Sequence, residues 1–124
     1  MKYVILCYDE QAVTQALSPE DDAAMMSRLF AVQKKMADKG KLGPVAKLKP
    51  TNTARTLPKG AGAMVVDGPF AETKEQLLGF YLVDCEDEDE AFEFVRELSA
   101  AKTHGTGSYE VRPIELFLPA PPAA

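Results

Sequence analysis

Asp67, Lys74, Glu110 and Arg112 are the side chains of this 124-residue sequence whose types and spacing best suit chemistry. Asp67 follows the apolar run Met64-Val65-Val66 and precedes Gly68-Pro69-Phe70. Gly68 adopts positive φ at little steric cost, and Pro69 fixes its own φ and lacks an N–H, so the chain must leave a strand sharply there. A carboxylate at such an exit, on a loop held by a rigid sheet, is in a usual position for a functional group. In an apolar cleft its pKa rises and it serves as general acid or base. The expected site has Asp67 as base and Lys74 beside it at the pocket mouth. Arg112 clamps an anion through paired hydrogen bonds. Phe70 and Tyr81 form apolar walls, and Tyr8, Arg55 and Glu110 complete the polar lining. The corresponding chemistry is proton transfer of the lyase or isomerase type on a small anionic or aromatic molecule. The simpler expectation for the same residues is a structural ion pair of Asp67 or Glu110 with Arg112.

Other chemistries find little support. His104 is the single histidine. It stands between a helix end and Gly105-Thr106-Gly107, where capping is the expected role. Cys7 and Cys85 lie in apolar strands and read as buried, reduced thiols. No metal constellation, phosphate-cradling glycine motif or Ser-His-Asp order is visible, and no cofactor is expected. The formal net charge of −5 argues against a nucleic-acid partner. No apolar run approaches the ~20 residues of a membrane span, and the short apolar start MKYVILCYDE does not suit a signal peptide, so a cytoplasmic location is expected.

The elements that must position these residues can be read in order. Residues 2–8 form a strand that is apolar on both faces. Ser18 caps a helix of about 20 residues with Pro19 at its first position, acids at 20–22 and an end at Lys39-Gly40. Its apolar stripe is Met25, Leu29, Val32 and Met36, widened by Met26 and Phe30. Strands are expected from Leu42 (an edge, because of Gly43-Pro44), over 53–57, over 63–67 and over 79–85. A second helix opens in the acidic run 84–90, which complements its dipole, and buries Ala91, Phe92, Val95 and Leu98. The last strand, 107–118, places Tyr109 and Val111 on one face and Glu110 and Arg112 on the other. Residues 1–118 form one domain, and 119–124 form a flexible Pro/Ala tail.

The segments DGPFAETKE (67–75), LLGFYLV (77–83) and YEVRPIE (109–115) resemble, in order and over nearly the whole chain, the DGPF subgroup of the YCII-related family. The resemblance implies a ferredoxin-like α+β fold: an antiparallel sheet with two helices on one face, paired into a dimeric α/β barrel. It also implies an association with regulators of transcription initiation. A relative in the wider family eliminates chloride from a chlorinated hydroxyquinol with a His-Asp pair whose histidine lies early. No histidine precedes position 104 here, so that pair does not carry over. A homodimer also follows from the sequence pattern, because strands apolar on both faces need cover on the face the helices leave open. Leaving such a face of ~800 Å² in water at ~25 cal/mol per Å² would cost an amount comparable with domain stability. Two functions are therefore expected: a small-molecule lyase or isomerase, or a non-catalytic ligand-binding or regulatory module with a protein partner.

Overall fold

The computed structural model describes residues 1–102 and 106–120. The elements are β1 (Lys2–Asp9), α1 (Gln11–Gln15), α2 (Pro19–Asp38), β2 (Leu42–Lys47), β3 (Arg55–Thr56), β4 (Val66–Asp67), β5 (Gln76–Asp84), α3 (Glu88–Ala101) and β6 (Ser108–Pro113). Four strands form an antiparallel sheet in the order β2-β5-β1-β6. The fold is mixed α+β, as expected, with three α-helices among the described residues rather than two.

Local chemistry accounts for the helices. The Ser18 hydroxyl accepts from the Asp21 N–H at 3.1 Å, Pro19 needs no donor at the first helical position, and three acids occupy the first turn of α2. Gly40, at φ +70, takes the left-handed turn beyond its end. In α3 the cap is Asp87, whose carboxylate accepts from the Glu90 N–H at 2.9 Å. Asp84 belongs to β5 instead, so the expected helix start moves by a turn. The buried residues of α3 are Ala91, Phe94, Val95, Leu98 and Ala101; Phe92 is only half-buried.

The core lies between the helices and one face of the sheet. Tyr3, Ile5, Tyr81 and Val83 from the strands meet Val32, Met36, Phe94, Val95 and Leu98. Full burial of a side chain such as Phe94 contributes about 1.5–3 kcal/mol relative to exposure. The Tyr81 and Phe94 rings meet edge to face, 5.6 Å apart at 87°. Met25, Val32 and Met36 are buried as expected, whereas Phe30 faces solvent. On the opposite face of the sheet, Val4, Leu6, Phe80 and Leu82 remain half-buried.

The middle of the chain departs from expectation. Residues 53–57 and 63–67 do not enter the main sheet. They form a separate ribbon of two short strands, with Arg55 opposite Asp67 and Thr56 opposite Val66. Met64, Val65 and Val66 are exposed. The intervening turn uses positive φ at Gly60 and Gly62, and Gly68 takes φ +102 at the exit beside Asp67. The last strand likewise stops at Pro113, and Leu116 and Leu118 are exposed.

Candidate functional site

The expected site residues divide among several places. Asp67 is 94% exposed and pairs with Arg55 across the ribbon at 3.4 Å, and Phe70 is 93% exposed. Lys74 reaches back to Glu10 at 3.5 Å. Tyr8 and Glu110 do meet: the tyrosine hydroxyl donates to Glu110 Oε1 at 3.4 Å. Arg112 lies two residues along the same strand, opposite Val4. Burial, then the Glu110 charge, raises the Tyr8 pKa, with Arg112 opposing. Tyr81 faces the core instead, with Gln33 Nε2 donating to its hydroxyl at 3.2 Å. Among the described residues neither Asp67 nor Glu110 forms an ion pair with Arg112, so the structural-pair expectation is replaced by the Arg55–Asp67 pair. His104 lies outside the described residues.

The structure places a different constellation at the end of β1. Tyr3, Ile5, Cys7 and Asp9 share one parity, and this parity faces the helices. The face is apolar until its last residue, where a carboxylate enters the interior. Asp9 is 0% exposed. Its Oδ1 accepts from the Glu10 N–H at 2.7 Å. Its Oδ2 meets the Lys102 ammonium in an ion pair but has no aligned hydrogen-bond donor among the described residues. Lys102 closes α3, where its N–H bonds to the carbonyls of Leu98 and Ser99 and its positive charge suits the negative end of the helix dipole.

Gly107 makes this burial possible. A Cβ there would lie 1.9 Å from the Tyr8 carbonyl oxygen and 3.0 Å from Asp9 Cγ. Only glycine lets the start of β6 pass so close to β1.

Beside the pair opens a cavity of about 200 Å³, lined by Cys7, Tyr8, Ser99, Lys102, Thr106, Gly107 and Tyr109. Asp9, the ion-pair partner of Lys102, does not itself line the cavity. Burial pushes the Cys7 thiol up to about 11, and the Lys102 ammonium opposes that shift. The Tyr109 phenol is also raised, first by burial and then by the neighbouring Cys7, Tyr81 and Asp9. At neutral pH the Cys7 thiol and the Tyr109 phenol therefore keep their protons, beside the hydroxyls of Ser99 and Thr106 and the side chain of Lys102. A second cavity of about 130 Å³ lies at the other end of the sheet, beside Lys2, Leu82, Asp84 and Phe117. Lys2 is already engaged with Asp84 there.

A YCII-related domain model matches residues 1–118. The chain belongs to the YCII-related family. An uncharacterised protein of Rhizobium meliloti is 58% identical over 120 residues, covering 96% of each chain. Among solved structures, the fold is similar to that of the 5-chloro-2-hydroxyhydroquinone dehydrochlorinase of Burkholderia phenoliruptrix, in complex with 2,5-dihydroxybenzoquinone. The TM-score is 0.52 and the identity 17%, over 93% of this chain and 94% of that one.

Proposed function

We propose that this YCII-related chain is a small-molecule enzyme of the lyase type and that its site is the cavity beside Lys102. The observation that carries this reading is the fully buried Asp9 carboxylate paired with a lysine that also lines the cavity. A buried charge that serves only the fold is poorly rewarded, because desolvation offsets much of the attraction. A buried ion pair with one member open to a cavity offers that charge to a ligand in a place where water competes poorly. Lys102 both pairs with Asp9 and lines the cavity, so its side chain can face a negative charge that develops on a ligand there. Such a charge then lies in a partly desolvated place, where this stabilisation is strongest. The fold shared with a dehydrochlorinase is compatible with this class.

The half-buried apolar face of Val4, Leu6, Phe80 and Leu82 supports a homodimer in which a second copy covers it. Tyr8, Glu110 and Arg112 would then lie at the edge of that interface.

The test is chloride release from chlorinated hydroxyquinols by wild type, Lys102→Met and Asp67→Asn. Loss of turnover in Lys102→Met with retention in Asp67→Asn is the expected result. The reverse pattern returns the site to the ribbon. Saturable binding without any product favours the alternative, a non-catalytic ligand-binding or regulatory module.

A further inference from the structure

The sheet face away from the helices carries two charges that the fold leaves without ionic partners. Lys2 and Asp84, at one end of this face, pair with each other at 3.0 Å. Glu110 and Arg112 stand on the edge strand β6, both exposed, and neither enters an ion pair among the described residues. In water such charges need no partner, but under a covering surface each does. The strand register shows what can supply one. Leu82, Val4 and Arg112 stand side by side in one row across β5, β1 and β6, and Phe80, Leu6 and Glu110 form another. Between them runs the row Tyr81, Ile5 and Val111, whose side chains face the helices. Each outer row is thus two apolar residues and one charge, and the two charges are opposite. A half-turn about an axis crossing the strands at the level of Val111, Ile5 and Tyr81 lays the first row of one copy on the second row of another. Resting on the homodimer reading above, we propose that a second copy of this chain docks about that axis, so that Glu110 of each protomer meets the partner's Arg112.

A two-fold interface is self-complementary: where residue i meets j, j meets i. One glutamate and one arginine on β6 therefore supply two ion pairs per dimer. Sheets packed face to face lie ~10 Å apart, a gap that glutamate and arginine side chains reaching from the two sides span. The Tyr8 hydroxyl, donating to Glu110 Oε1 at 3.4 Å, holds the carboxylate on this face. The same axis sets Leu6 against the partner's Val4 and Phe80 against the partner's Leu82, so apolar side chains fill the centre while the charges close the β6 edge. The charges also select the register. An axis moved to the level of either charge would set Glu110 on the partner's Glu110, or Arg112 on the partner's Arg112, and like charges in contact are strongly disfavoured. With a net charge of −5, two copies repel each other in general, so an attraction placed in register favours this approach over others.

The test is a charge swap read by sedimentation equilibrium and native mass spectrometry of the full chain. Glu110→Arg and Arg112→Glu should each weaken the dimer by about a hundredfold or more, because both contacts then oppose like charges. Glu110→Arg also lowers the net negative charge of the chain, so a general charge effect would strengthen association instead. Mixed in equal amounts, the two variants should form a heterodimer of near wild-type affinity, in which both contacts are again attractive. The double variant Glu110→Arg/Arg112→Glu should likewise recover the homodimer. Both positions are exposed, and circular dichroism checks the fold of each variant. If one single variant does not fold, the other, set against the double variant, decides the matter. A wild-type dimer that neither single variant weakens overturns this inference and leaves the homodimer standing. So do two weakened variants that neither recombine on mixing nor recover in the double variant. A wild-type monomer at micromolar concentration overturns both.

Discussion

Lys102→Met removes the charge partner of Asp9 while keeping the length and apolar stem of the side chain. The Asp9 side chain is 1% exposed and that of Lys102 is 21%, so the carboxylate cannot replace its partner with bulk water unless the structure opens. Removing one member of a buried pair typically destabilises by ~3–5 kcal/mol. The partial exposure of Lys102 puts this case near the lower end, about 3 kcal/mol. With an m-value of ~2 kcal/mol per molar urea, the unfolding midpoint should fall by roughly 1.5 M. Asp9→Asn/Lys102→Met should recover most of that loss, because an amide leaves no uncompensated charge. The double-mutant cycle then isolates the coupling. A loss below about 1 kcal/mol in Lys102→Met, the range of exposed pairs, would refute the reasoning and show that water reaches Asp9.

Gly107→Ala should destabilise by roughly 1–3 kcal/mol or more, because a Cβ would meet the Tyr8 carbonyl at 1.9 Å. Urea unfolding measures it, and a neutral effect would mean that β6 can move off β1. Burial raises the thiols of Cys7 and Cys85 from 9.0 to about 11, so the folded state holds protons that the unfolded state releases. Their contribution to stability is therefore complete below about pH 9 and is lost as pH rises through about 11; a stability profile that does not fall across that window contradicts it. Iodoacetamide should modify Cys7 slowly at pH 8, and more slowly in Lys102→Met, because the ammonium favours the thiolate. Sedimentation should show a dimer for the wild type and a monomer for Leu82→Arg, since Leu82 lies on the sheet face away from the helices; a wild-type monomer at micromolar concentration refutes the assembly.

The outer frame of the fold was legible because its signals are local. Ser18-Pro19 with its following acids, and Gly40 after Lys39, delimit α2 without reference to the rest of the chain. Alternation in β1 and β6 correctly separates Tyr109 and Val111 from Glu110 and Arg112. The run Met64-Val65-Val66 misleads because an apolar run cannot by itself distinguish a buried strand from an exposed ribbon. In α3 the buried positions Ala91, Phe94, Val95, Leu98 and Ala101 keep the three-four spacing of one helix face, and Phe92 lies beside that stripe, so Phe94 rather than Phe92 fills the core. Asp9 did leave a signal: it continues the buried parity of Tyr3, Ile5 and Cys7 with a charge, which demands a partner. Its partner lies 93 residues later, at the end of another element, and only the β1–β6 pairing and the docking of α3 bring the two together.

The central claim is that the cavity beside Lys102, rather than the ribbon around Asp67, receives the ligand. The most direct measurement is an amide NMR titration of the wild-type protein with a compact phenol. Shift changes should concentrate at Cys7, Ser99, Lys102 and Tyr109 and disappear in Lys102→Met. Changes confined to residues 64–75, unaffected by Lys102→Met, would contradict it.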